Sequence, residues 1–160
     1  MICNLCPRNC GVERTNEKGG GVCRQPMLPV AAKAMLHQWE EPCLVGEHGA
    51  GCVFFSGCNL RCCFCQNYAV SHEGFGQTVS VERLADIFRE LEAQGAHNIN
   101  LVNPTHYAHV LVELLSAYRP RVPVVYNTSG YDKVETLRRL CGLVDIYLPD
   151  LKYLSPALAA

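Results

Sequence analysis

The sequence lacks a long apolar run and an excess of charge of either sign. No apolar stretch approaches the roughly 18 residues of a membrane-spanning segment, and the first residues do not form a secretory signal peptide. Lysine and arginine number 14 against 15 aspartate and glutamate residues, so the basic surface typical of nucleic-acid binding is missing. We therefore expect a cytoplasmic protein with no nucleic-acid or membrane partner.

Cysteine, in contrast, is abundant, with eleven in 160 residues. An odd, clustered set without a signal peptide argues against a disulfide framework and favours reduced thiols that bind metal. Eight of the cysteines fall into two groups. The remaining three stand alone, and we predict that they are small buried apolar side chains: Cys43, Cys52 and Cys141.

One group occupies the cysteine loop (residues 58–65), where Cys58, Cys62 and Cys65 form a C-x3-C-x2-C array after an apolar run. Closely spaced thiolates on a loop are typical ligands of iron–sulfur clusters or zinc. Three thiolates would leave one iron of a four-iron cluster open for chemistry. A zinc knuckle that recruits Cys63 is the competing interpretation, but the loop lacks the paired C-x2-C arms that such knuckles use.

The other group lies in a glycine-rich N-terminal arm (residues 1–50). Its cysteines follow the pattern C-x2-C-x3-C-x12-C and are Cys3, Cys6, Cys10 and Cys23. Four thiolates make a closed coordination shell, which predicts a structural metal, either zinc or a second iron–sulfur cluster. A segment with so few apolar residues needs a cross-link such as a bound metal to be ordered.

From residue 51 onward the apolar pattern alternates between strands and helices. It predicts strands at residues 52–55, 98–102, 122–126 and 144–148, with helices at 81–94, 110–118 and 134–140. Successive β and α units of this kind predict an α/β fold with a parallel sheet and right-handed connections. Residues 31–37 fit either a strand or a short helix.

Polar residues follow each predicted strand: the cysteine loop, then residues 103–106, 127–130 and 149–152. Because the carboxyl ends of parallel strands meet at one edge of a sheet, active sites of such folds gather there. Each polar segment alone is most often a turn or a helix cap. Four of them on one edge predict a functional site.

The cysteine loop resembles the signature of radical S-adenosylmethionine (SAM) enzymes, including the aromatic Phe64 before the last cysteine. The resemblance covers residues 51–152. Four segments look more narrowly like relatives of pyruvate formate-lyase activating enzyme: residues 54–58, 65–67, 127–131 and 150–152. The Cys-rich arm, with residues 39–42 and 104–106, is similar to a Cys-rich iron–sulfur subgroup of these relatives.

That resemblance implies a partial TIM-type (β/α) barrel for residues 51–160. Cys58, Cys62 and Cys65 would hold a [4Fe–4S] cluster whose fourth iron chelates SAM. The implied cofactor-binding residues are Phe64, which would lie near the adenine, and Asn67, Asn103, Thr105, Asn127, Ser129, Asp150 and Lys152. Two positions depart from the pattern: residues 103–106 replace a Gly-Gly-Glu element, and Asn127 replaces an acidic residue.

The implied activity is that of an oxidoreductase of the activating-enzyme type. SAM would be cleaved reductively to a 5′-deoxyadenosyl radical that abstracts hydrogen from a substrate. In activating enzymes that substrate is a glycine of a partner protein, and the electron donor is a flavodoxin or ferredoxin. No residue stands out as an acid–base catalyst. The alternatives are a non-catalytic, zinc-stabilised binding module and an electron-transfer protein whose cluster is fully ligated through Cys63.

The length of the chain leads to a further expectation. The family's partial barrel has six βα units, whereas this sequence stops after its fourth predicted strand, with residues 155–157 resembling the start of the next helix. We therefore expect a truncated barrel that is inactive in this form and has an exposed strand edge.

Overall fold

A computed structural model describes residues 1–155 and 157 of the protein. The helix expected to start at residues 155–157 involves residues that lie outside this described part. None of the helices within it has the length and apolar character needed to cross a membrane.

The chain opens with a small antiparallel pair of strands, β1 (Ile2–Cys3) and β2 (Val12–Glu13). The main sheet has six strands, which in chain order are β3 (Val30–His37), β4 (Ala50–Phe55), β5 (Gln77–Thr78), β6 (Ile99–Val102), β7 (Val124–Thr128) and β8 (Ile146–Pro149). Their order across the sheet is β5-β3-β4-β6-β7-β8. Within the described residues, β8 therefore forms one edge of this sheet.

The four predicted strands are confirmed as β4, β6, β7 and β8, and they pair in parallel. The sheet as a whole is mixed, however, because β3 and β5 add an antiparallel pair on the β4 side. Residues 31–37 form a strand rather than a helix, because β3 pairs along β4 from Ala31 to His37. The sheet thus extends across the division predicted at residue 50.

The helices are α1 (Pro42–Val45), α2 (Tyr68–Ser71), α3 (Val81–Ala93), α4 (Ala108–Ala117) and α5 (Val134–Leu140), with a 3-10 turn at Thr105–Tyr107. The start of α3 is confirmed, because the Ser80 hydroxyl accepts a hydrogen bond from the Arg83 amide at 3.1 Å. The predicted apolar face of α3 is buried against the sheet and contributes Leu84, Ile87, Phe88 and Leu91 to the core. In this core, α3 and α4 pack against the strands, which holds in place the strand ends at which the site forms.

The prediction for the three isolated cysteines is correct only for Cys52, which is fully buried in β4. Cys43 and Cys141 are exposed. Cys43 lies in the first turn of the short α1, and Cys141 caps the end of α5. Both positions are at helix ends outside the core, so their thiols face solvent.

Candidate functional site

A cavity of about 390 Å³, which we call the rim cavity, opens at the carboxyl ends of the four parallel strands. Each strand or the segment after it contributes to the lining, through Phe55, Val102, Asn127 and Asp150 among others. Its volume lies within the range of pockets that enclose small-molecule ligands. The convergence predicted from the parallel topology is therefore present.

The three cysteines of the C-x3-C-x2-C array all line the rim cavity and are half-buried. Cys58 Sγ accepts hydrogen bonds from the Leu60 amide at 3.4 Å and from Asn103 Nδ2 at 3.5 Å. Cys65 Sγ accepts one from Ser71 Oγ at 3.3 Å. Metal-bound thiolates commonly accept hydrogen bonds of this kind from surrounding groups.

Cys63 differs from its neighbours, since it is exposed and stands apart from the residues that line the rim cavity.

Burial raises the pKa of the lining Cys62 thiol, and the nearby Cys58 raises it further, whereas Lys152 acts in the opposite direction. Such a thiol ionises when it binds a metal.

An ion pair lies on the β8 side of the rim cavity, with Lys152 Nζ at 2.6 Å from Asp150 Oδ2. Partial burial disfavours the ammonium, but the hydrogen bond to Asp150 and the negative charges of Asp150, Cys62 and Cys58 together outweigh this and raise the pKa of Lys152. Lys152 is therefore charged at neutral pH. As a surface ion pair this contact stabilises the fold little, but its cation faces the same space as the cysteines.

Other predicted cofactor residues also line the rim cavity: Phe64, Asn67, Asn103, Asn127 and Ser129. Phe64 is 63% exposed and packs edge-on against Tyr153, with 6.5 Å between ring centroids. The Ser129 hydroxyl is buried and has no hydrogen-bond partner among the described residues. A buried polar atom without a partner at a cavity wall is a position where a ligand can supply the missing bond.

Thr105 is placed differently from the prediction, because it is fully buried and lies beside the rim cavity rather than in its lining. Its hydroxyl donates to Asp132 Oδ1 at 2.7 Å. Tyr126 donates to the same oxygen at 3.0 Å, and Thr128 donates to the other carboxylate oxygen. Asp132 thus ties the segment after β7 to the segment after β6.

Sequence reasoning missed Asp132, and it also missed the contact of Glu40 with the rim. Asn127 Nδ2 donates to Glu40 Oε2 at 3.5 Å, and the other oxygen of Glu40 lies 3.6 Å from Cys52 Sγ. Asn127 stands where the resembled family has an acidic residue, and here a carboxylate from the arm reaches that position.

The cysteine loop is held from both sides by long-range contacts. Arg8 Nε donates to the Asn59 carbonyl at 2.8 Å, and Arg8 Nη2 donates to the Leu60 carbonyl at 3.3 Å. The buried Asn59 side chain donates to the Tyr131 carbonyl at 2.7 Å. The N-terminal arm and the segment after β7 therefore fix the loop that carries the three thiols.

A second, much smaller cavity of about 10 Å³, the arm cavity, is lined in part by Asn59. The four cysteines of the N-terminal group also line it: Cys3, Cys6, Cys10 and Cys23. The four N-terminal cysteines thus share one cavity, and three of the four in the cysteine loop share the other, with Cys63 outside it.

In neither cysteine group are the side chains packed closely together. Among residues 1–155 and 157, no three histidine, cysteine, aspartate or glutamate side chains lie close enough together to hold a single metal ion. A four-iron cluster takes one thiolate on each iron, so it holds its cysteines farther apart than a single ion does. The open cavity and the soft donors of the cysteine loop suit a cluster.

Comparisons with known proteins agree with this geometry. A family model described as the radical SAM superfamily matches residues 52–159. The chain is also 33% identical to an uncharacterized protein of Methanocaldococcus jannaschii, over 94% of this chain and 45% of that relative. The chain therefore spans less than half the length of the curated relative that it matches.

Proposed function

The chain belongs to the radical SAM superfamily, and on that premise we propose that it is a radical SAM enzyme whose cysteine loop binds the cluster. Membership of the superfamily implies a [4Fe–4S] cluster and SAM in general. In this chain the proposed ligands of the cluster are Cys58, Cys62 and Cys65. The observation that carries the proposal is that these thiols share one cavity with polar groups from all four parallel strands.

When bound, the reduced cluster would supply one electron to the sulfonium of SAM, so that the S–C5′ bond would break into methionine and a 5′-deoxyadenosyl radical able to take a hydrogen atom from the substrate. The protein residues orient the cofactor and shield it from water. Asn103 and Ser71 donate hydrogen bonds to cysteine sulfurs, which tune the reduction potential of an iron–sulfur centre.

The cavity wall offers complementary groups for SAM. Lys152 supplies a cation for its carboxylate, and the unpartnered Ser129 hydroxyl supplies a hydrogen bond. Asn67 and Asn127 add amides, and Phe64 at the mouth offers an apolar surface for the adenine. The volume of about 390 Å³ suits a ligand of this size.

The finer part of the proposal concerns the substrate and partners. We assign the chain to the activating-enzyme type of oxidoreductase, which acts on a glycine of a partner protein and receives electrons from a flavodoxin or ferredoxin. A small-molecule substrate is the competing possibility. Eleven cysteines without a disulfide among the described residues support our proposal that the protein works in the cytoplasm.

Anaerobic reconstitution with iron and sulfide tests the proposal. The reduced protein is expected to give an electron paramagnetic resonance (EPR) spectrum that changes when SAM is added, followed by formation of 5′-deoxyadenosine. Replacing Cys62 with serine should abolish the iron–sulfur spectrum. The matched control, Cys63→Ser, should leave it intact, because Cys63 is exposed and outside the lining.

Three results would contradict the proposal. A cluster that is lost in Cys63→Ser would indicate full protein ligation and an electron-transfer role. A colourless protein that binds zinc at the cysteine loop would indicate a binding module. An intact cluster whose spectrum does not respond to SAM would equally exclude the enzyme.

A further inference from the structure

The arm cavity has the donors of a second metal centre that is independent of the cysteine loop. Cys3 lies on β1, and Cys6 opens a tight turn in which its carbonyl accepts a hydrogen bond from the Asn9 amide at 3.1 Å. Cys10 follows this turn, and Cys23 comes from a separate segment. Three of these cysteines are buried although they are not paired in disulfides: Cys3, Cys6 and Cys23.

The glycine-rich segment before Cys23 passes close to Cys10. Gly21 has φ of +69°, and a Cβ atom there would stand 2.8 Å from Cys10 Sγ. A larger residue would therefore push the sulfur away from the cavity. The segment needs glycine both for its left-handed backbone and for this close approach.

Arg14 provides independent evidence about the charge of the site. It is fully buried, donates to Cys3 Sγ at 3.5 Å and to the His106 carbonyl at 3.0 Å, and also donates to the Pro26 carbonyl. Its Nε has no hydrogen-bond partner in the described part of the chain, and none of the ion pairs there includes it. A buried guanidinium without a counter-charge is costly, so anionic sulfur at Cys3 would balance it.

His106 adds a second buried atom without a partner. It lines the arm cavity, and its Nε2 lies 2.7 Å from the Ser56 carbonyl. A carbonyl only accepts, so Nε2 carries the proton, and Nδ1 has no partner among the described residues. Arg14 is not part of the lining, but it contacts two residues that are, Cys3 and His106. A buried cation thus lies next to the thiol-lined wall, where metal-bound thiolates would offset its charge.

We propose that Cys3, Cys6, Cys10 and Cys23 bind one zinc-type divalent ion as thiolates, with Arg14 as the outer cation that offsets their charge. The cavity of about 10 Å³ has room for about one water-sized atom, which suits an ion and not a cluster. The thiols line one space but are not yet close enough together for a single ion among the described residues, so binding would draw them inward. A closed four-thiolate shell leaves no open position, so the centre is structural.

The location of this centre gives it a specific role. Asn59 lines the arm cavity and directly follows Cys58. The turn between Cys6 and Cys10 carries Arg8, which holds the Asn59 and Leu60 carbonyls. The bound ion would therefore stabilise the cysteine loop through its contacts with Asn59 and Arg8. This role is independent of whether the chain cleaves SAM.

Metal analysis of the full chain tests the inference. The protein purified with zinc is expected to contain about one zinc per chain, and the double variant Cys6→Ser/Cys23→Ser should lose it. The matched control Cys43→Ser/Cys141→Ser removes two exposed thiols outside both cavities and should retain the zinc. The triple variant Cys58→Ser/Cys62→Ser/Cys65→Ser should also retain it, which separates this centre from the proposed cluster.

Cobalt substitution gives a readout that needs no variant. Co²⁺ in the wild-type chain should show the intense thiolate charge-transfer absorption of a tetrahedral sulfur site. Replacing Arg14 with glutamine should weaken zinc affinity by about 10- to 100-fold, the usual effect of losing an outer-shell partner. Absence of these bands, zinc retained in Cys6→Ser/Cys23→Ser, or a second set of iron and sulfide in this region would each overturn the inference.

Discussion

Replacing Asp132 with alanine is the most informative perturbation of the site that leaves the cavity lining untouched. The carboxylate accepts hydrogen bonds from Thr105, Tyr126 and Thr128, and the first two of these residues are fully buried. Thr105 can turn to Asn103 Oδ1, which lies 3.1 Å from its hydroxyl. Thr128 can in turn donate to the Thr105 hydroxyl, which lies 3.3 Å from its own. Only the buried Tyr126 hydroxyl would then be left without an acceptor.

The magnitude follows from that hydroxyl. An unsatisfied buried polar group costs about 1–3 kcal/mol, so Asp132→Ala should lower the free energy of unfolding by about 1–3 kcal/mol. Asp132→Asn keeps one acceptor oxygen and should lose less than half of that amount. A loss in this range is a measurable part of the roughly 5–15 kcal/mol that stabilises a typical domain.

Urea unfolding at fixed metal content, followed by circular dichroism, measures the effect. The matched control is Asp86→Ala on α3, where the carboxylate pairs with Arg89 at 2.6 Å and both side chains are about half exposed. This control should change stability by no more than about 0.5 kcal/mol. If Asp132→Ala is no more destabilising than Asp86→Ala, the carboxylate does not join the two rim segments.

Two other predictions concern charge. Lys152→Met should weaken SAM binding by roughly tenfold or more, as expected for the loss of a charged hydrogen bond. The free energy of unfolding should change by less than about 1 kcal/mol, because the ion pair of Lys152 with Asp150 is partly exposed. An unchanged SAM affinity in calorimetry would argue against a role of Lys152 in binding. Burial, assisted by the charge of Arg14, lowers the pKa of His109 to about 4. Between about pH 6.5 and pH 4, His109 is therefore protonated in the unfolded chain but neutral in the folded chain. The free energy of unfolding should therefore fall as the pH drops from about 6.5 to 4. This fall should be less steep in His109→Gln, whereas the exposed-site control His48→Gln should show the same pH dependence as the wild type.

Local patterns in the sequence predicted the helices and parallel strands well, because these depend on nearby residues. The start of α3 follows from Ser80, and its buried face follows from the apolar spacing. The nature of residues 31–37 could not be read locally, because their alanines suit a helix as well as a strand. They form β3 only because β4 lies alongside to pair with them.

The candidate site divides in the same way. The residues at the strand ends were predictable, since parallel strands place their carboxyl ends together. Thr105 was not placed correctly by that reasoning, because the turn after β6 buries it against Asp132. The contacts of Glu40 with Asn127 and of Arg8 with Asn59 join residues 87 and 51 positions apart, and no spacing rule indicates such pairs.

These long-range contacts change how the N-terminal arm is understood. Sequence spacing presents the arm as a separate segment held by a metal, but two of its side chains contact residues that line the rim cavity, Asn127 and Leu60. Glu40 brings a carboxylate to Asn127, and Arg8 holds the backbone of the cysteine loop. Loosening the arm should therefore disturb the rim cavity even when all three loop cysteines are intact. The arm and the strand ends together form one site, and the metal proposed for the arm would stabilise that shared structure.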